Sequence, residues 1–164
     1  MHLGGDDTYI WLPDLVEFID GNWENYLSLI YRYFEKDFIH TRPIFRGQVV
    51  NHRHFPEDVD GKHAAFWHLI QEGKEEEHRE PKLRRCERIR WPRPIIEHEQ
   101  DECILVWENE RKGKTNICIF FSTINYLVVL GKRSSYVLLL SAYPIEFENR
   151  KEKLLDEYRA YHGL

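Results

Sequence analysis

A chain of 164 residues suits one domain with one core, and 42% hydrophobic and 14% aromatic residues supply the apolar mass to fill it. Nine Gly and seven Pro exclude a collagenous or low-complexity chain, and no apolar run approaches the ~20 residues that span a bilayer. The net charge of −5 argues against a general nucleic-acid coat, although the charges are unevenly spread.

Residues 1–40 hold eight acids against Arg32 and Lys36, whereas residues 79–94 hold seven bases against Glu80 and Glu87. One strongly basic segment inside a mildly acidic chain fits a localised phosphate site. The N-terminal MHLGGDDTYI has neither the basic stretch nor the apolar core of a signal peptide. Cys86, Cys103 and Cys118 show no CxxC spacing and read as reduced thiols. Both features point to a cytoplasmic protein.

In chain order, residues 14–20 read as a short helix after Pro13. Trp23–Phe38 follows as an amphipathic helix carrying Leu27, Ile30, Tyr31 and Phe34 at helical spacing. Thr41-Arg42-Pro43 ends it. Residues 44–50 read as a short strand bent at Gly47, and residues 51–61 as a polar loop with His52 and His54. Residues 62–71 predict a helix with Gly73 just past its end, and Glu75–Glu77 a solvated acidic run. A helix over 83–90 is expected to stop at Trp91-Pro92, with 94–97 a connector. The period then changes. Residues 103–107, 117–122, 126–130 and 136–143 are β-branched or aromatic runs with short turn-forming links, which implies an antiparallel meander. Residues 150–161 close the chain as a charged helix with Leu154, Leu155 and Tyr158 inward. The fold expected is therefore α+β: N-terminal helices packed on a four-stranded antiparallel sheet with a C-terminal helix. Residues 1–60 form a helical extension and 61–164 the main unit.

Chemistry-bearing residues fall in three groups. Lys62, His63 and His68 lie on or at the start of one helix; five positions place the two histidines about 140° apart, so they do not share a face. The bland alternative for each is a surface or satisfied core histidine. Arg84, Arg85, Arg88 and Arg90 form the second group, with Arg84 and Arg88 one helical turn apart and suited to phosphate oxygens, or else to a solvated face paired with acids. Ser141 and Tyr143 form the third, two apart on the last strand and so on one face. There is no Walker loop, HExxH or GxSxG, and the irregular spacing of His52, His54, His63, His68, His78 and His98 does not favour a metal site.

The order GKHAAFWHLIQEG, RRCERIRWPRPIIE, NYLVVLGKR and LLLSAYP resembles phage-associated members of the barnase–EndoU–colicin–RelE nuclease group, over roughly residues 61–160. The resemblance implies a helical part on a four-stranded antiparallel sheet. It also implies a metal-independent endoribonuclease toxin without a cofactor, which cuts RNA (tRNA or mRNA) by 2′-OH attack to leave a 2′,3′-cyclic phosphate. A neutralising antitoxin protein is the implied partner. Carried over by motif, the acid/base role falls on His63 or His68, with Lys62 beside them. The phosphate falls to Arg88 and Arg90 with Arg85 nearby, proton donation or orientation to Tyr143, and positioning to Ser141. Tyr126 and Arg133 fall on the third strand and its exit. The chain departs from barnase in having no Glu on a central strand. Two other readings stand beside this one: a non-catalytic accessory module that binds nucleic acid or protein, and a transferase-like toxin acting on a nucleotide cofactor.

Overall fold

The computed structural model describes residues 10–53, 58–72 and 80–164. Helix α1 (Trp23–Phe34) starts where the Asn22 side chain accepts the Asn25 N–H, and buries Tyr26, Leu27, Ile30 and Phe34. It widens into a π-helical stretch (Glu35–His40) that ends ahead of Pro43. Strands β1 (Ile44–Phe45) and β2 (Gln48–Asn51) make a hairpin around Arg46 and Gly47, whose φ angles of 48° and 84° suit a tight two-residue turn. Helix α2 (Ala64–Ile70) follows, and then β3 (Gln71–Glu72) pairs with β4 (Glu80–Pro81). Helices α3 (Leu83–Glu87) and α4 (Pro92–Glu97) lead into β5 (Ile104–Arg111), β6 (Lys114–Phe121), β7 (Tyr126–Lys132) and β8 (Val137–Pro144). Helix α5 (Glu148–His162) closes the chain.

The α+β order and the meander β5–β8 are as the alternating pattern predicts, but the sheet has six strands rather than four, in the order β1-β2-β8-β7-β6-β5. The two added strands come from the N-terminal part. Strand β2 pairs parallel to β8, with Val50 against Val137 and Asn51 against Leu138. A four-residue strand whose partner lies far along the chain leaves no local periodicity to read.

Two other expectations are corrected. Residues 14–20 form no helix; they run across the surface as a strap, with backbone groups satisfied by distant partners. Val16 N–H donates to Glu87 O (2.9 Å), Tyr26 Oη to Val16 O (2.7 Å) and Trp91 Nε1 to Pro13 O (2.8 Å). The connector expected at 94–97 is part of α4, because Pro92 is at the start of a helix, where its missing N–H costs nothing. His54, Gly73, Glu75–Glu77, His78 and Arg79 lie outside the described residues.

The sheet buries both faces. On the inner one, Ile117, Ile119, Phe121, Val128 and Leu130 join Phe34, Phe38, Phe66, Ile70, Ile95 and Ile96 in a single cluster that draws on residues from both sides of position 60. On the outer one, Trp107, Cys118, Phe120 and Leu127 pack under Leu154 of α5, with Leu155 and Tyr158 alongside. At ~25 cal/mol per Å² of apolar surface, each fully buried aromatic contributes a few kcal/mol. Strand β8 carries a bulge: Val129 faces Ser141 and Leu130 faces Leu139, which leaves Leu140 as the extra residue. Among the described residues no helix is long and apolar enough to cross a membrane.

Candidate functional site

The outer face is only part-covered by α5, and beside the helix lies a cleft of about 320 Å³. The strands furnish its floor. Alternation along β5 and β6 turns Asn109, Arg111, Asn116 and Cys118 outward, and the bulged β8 adds Ser141 and Tyr143. Arg53, just past the end of β2, and Arg150, from the first turn of α5, reach in from the two sides. Three guanidinium groups from three distant parts of the chain thus converge on one concavity.

Their charge is poorly compensated from within. Arg111 lies 3.5 Å from Glu157, Arg150 interacts with the same carboxylate without forming an ion pair, and Arg53 has no ion pair among the described residues. Arg150 Nη2 reaches the Tyr143 hydroxyl at 3.5 Å. Two atoms in the lining, Arg53 Nε and Asn109 Oδ1, are buried without a hydrogen-bond partner among the described residues. Burial of an unpaired donor or acceptor costs about 1–3 kcal/mol, so the cleft joins positive charge to polar groups left unsatisfied among the described residues.

Glu157 frames the cleft without entering it. Burial raises its pKa, but hydrogen bonds from Asn109 (2.6 Å) and Trp107 (2.7 Å), with Arg111 and Arg150 near, outweigh this and hold the carboxyl below its usual range. Its ionised form fixes α5 against β5 and orients the Asn109 amide. Cys118 is the reverse case: burial first, then the charge of Glu157, push its thiol up to about 12, so it stays protonated.

Of the residues singled out from sequence, Ser141 and Tyr143 line this cleft. Arg85 packs against its wall, with the guanidinium 4.8 Å from the Tyr143 ring centroid and Nη1 donating to Gln71 O. Arg88 lies 5.1 Å over Trp91 and donates to Arg84 O; burial, then the neighbouring Arg84, lower its pKa. Arg90 stacks 4.8 Å over Tyr33. Tyr126 is buried edge-on to Trp91, and burial pushes its phenol up. Arg133 donates to Lys132 O at the exit of β7. None of these four lines the cleft.

Lys62 and His63 belong to a second cluster. His63 precedes α2, with Nδ1 3.5 Å from Asp58 and its ring 5.2 Å from that of His52. The His63 N–H donates to Tyr31 Oη (3.2 Å), and Lys62 Nζ sits 5.6 Å over the Tyr31 ring. His68 is half-buried within α2. The structure therefore separates the histidines from Ser141 and Tyr143: His52 and Arg53 are consecutive, yet Arg53 lines the cleft and His52 packs against His63. Among the described residues no group of three or more His, Cys, Asp or Glu is placed to hold a metal ion.

Sequence reasoning missed Arg53, Asn109, Arg111, Asn116 and Arg150. For the middle three a signal existed: Asn109 and Asn116 face each other across a hairpin that extends beyond Trp107. No protein-family description, curated protein or solved structure matches the chain.

Proposed function

We propose that the cleft holds the phosphodiester backbone of RNA and that the protein is a metal-independent endoribonuclease. The observation that carries this reading is the convergence of Arg53, Arg111 and Arg150, two of them without an ion pair among the described residues, beside the hydroxyls of Ser141 and Tyr143. A guanidinium is planar, permanently protonated and matched to phosphate oxygens. RNA brings its own nucleophile: the 2′-OH attacks the adjacent phosphorus, the P–O5′ bond breaks, and the products are a 2′,3′-cyclic phosphate and a 5′-hydroxyl. The extra charge on the phosphorane falls to the three arginines. The proton donor to the departing oxygen in this reading is Tyr143, whose hydroxyl lies 3.5 Å from Arg150. His63, 3.5 Å from Asp58, belongs to the separate cluster and is not assigned to this phosphate; with no imidazole or carboxylate in the described lining, the 2′-OH proton passes to solvent.

One observation favours a second reading, binding without cleavage: the described lining of the cleft contains no imidazole and no carboxylate. Incubation of tRNA and total RNA with the protein in EDTA separates the two. Cleavage with cyclic-phosphate ends is expected. Arg53→Ala and Tyr143→Phe are each expected to reduce it on the order of 10²-fold, the usual weight of one transition-state donor. Intact RNA bound with wild-type affinity would leave the binding module. A toxin role adds one expectation: expression arrests growth, and the Tyr143→Phe change relieves the arrest.

A further inference from the structure

A second concavity, of about 310 Å³, lies at the C-terminal end of β8 and is lined by Lys82, Arg84, Arg85, Pro144 and Glu146 together with Glu72. The two concavities share a wall. Arg85 lines the second, and its guanidinium lies 4.8 Å from the ring centroid of Tyr143, which lines the first. Tyr143 and Pro144 are consecutive on the strand, so a chain that leaves the arginine cleft past Tyr143 meets Lys82 and Arg84 next.

We infer that this second concavity is a phosphate subsite for nucleotides flanking the one held by Arg53, Arg111 and Arg150. The protein thus takes an extended single strand rather than a mononucleotide. The inference rests on the RNA-binding reading above and extends it. Lys82 is exposed and makes no ion pair among the described residues. Arg84 pairs with Glu146 at 2.8 Å, but both side chains are about half exposed, at 55% and 44%. Such a pair is weak and screened, so a phosphate can replace the carboxylate at little cost. Arg85 is the fixed element. With Nη1 committed to Gln71 O and its face to Tyr143, it is a wall rather than a mobile ligand. A single strand is favoured over a duplex because the path turns around the end of one β-strand, which a flexible backbone follows and a stiff helix does not.

The test uses 2′-O-methyl RNA of two, four, eight and twelve nucleotides, which cannot be cut through the 2′-OH, with affinity read by fluorescence anisotropy over a range of KCl. Affinity should rise with length until both concavities are filled. The salt slope should rise with it, by about 0.7 for each added phosphate contact. A Lys82→Ala/Arg84→Ala double variant should lose most of the gain between two and eight nucleotides, on the order of tenfold. Lys82→Gln alone, a surface change that leaves the fold intact, should lose part of it. A double variant that keeps the full length dependence and salt slope overturns the subsite while leaving the arginine cleft in place. No binding by the wild-type protein at any length overturns both. A twelve-nucleotide duplex that binds as tightly as the single strand overturns the extended-strand path alone.

Discussion

Asp37 and Glu157 show how far local surroundings bend the chemistry of one residue. Burial raises the Asp37 carboxyl to about 6, against the opposing charges of Arg93, Lys36 and Arg90. In an unfolded chain it titrates near 3.8. Between those values the folded state holds a proton that the unfolded state has lost, so the contribution of Asp37 improves as pH falls from neutral toward 4. Its ionised form is a cost at neutral pH. Asp37→Asn is therefore expected to raise stability on the order of 1 kcal/mol at pH 7.5, discounted for partial exposure, and by almost nothing at pH 4. Thermal melts across that range check this; a gap independent of pH would refute it. Glu157 is opposite in sign: its lowered pKa stabilises the fold at neutral pH, and that contribution is lost only as pH drops through and below the usual carboxylate range.

At this scale the sequence was only half readable. Ser141 and Tyr143 could be paired because strand alternation is a short-range rule. Arg53 and Arg150 could not, since nothing local says that a loop residue and a helix residue meet over one strand. The arginine run at 84–90 drew attention by density, yet the rings of Trp91 and Tyr33 take up Arg88 and Arg90.

Elements differ in how plainly they announce themselves. The meander was legible because each of its strands is long enough to show alternation and each link carries a turn residue. The β5–β6 turn places Lys112 at φ 54° and Gly113 at φ 75°. Glycine accepts that conformation freely, whereas a long side chain pays for it, and Asn is the residue that tolerates it best. Lys112→Asn is expected to stabilise the protein by roughly 0.5–1 kcal/mol, read from the urea midpoint at unchanged slope. The strap at 14–20 misled for the opposite reason. Its apolar spacing fits a helix, but Val16 and Pro13 gain more from Glu87, Tyr26 and Trp91 than a seven-residue helix offers.

Taken whole, the molecule is a six-stranded sheet whose inner core joins Phe34 and Phe38 to Phe66, Ile95 and Phe121. A chain that begins at residue 61 loses α1, β1, β2 and eight of that cluster's buried residues, Phe34 and Phe38 among them. It is expected to show no cooperative unfolding transition by circular dichroism, whereas the full chain shows one. The fold class was readable from the change of period near residue 100. The sheet's full width was not, because a two-residue and a four-residue strand contribute too little pattern.

The parallel pairing of Val50 with Val137 also sets the order in which the cleft can be assembled. Arg53 leaves the ribosome early, but the strand that must flank it, the asparagines beneath it and Arg150 opposite it are made much later. A growing chain therefore carries its arginines without the concavity in which they converge, and contacts this distant in sequence close late and slowly. For a molecule of the kind proposed, the arginine cleft is assembled only once Arg150 on α5 has been made.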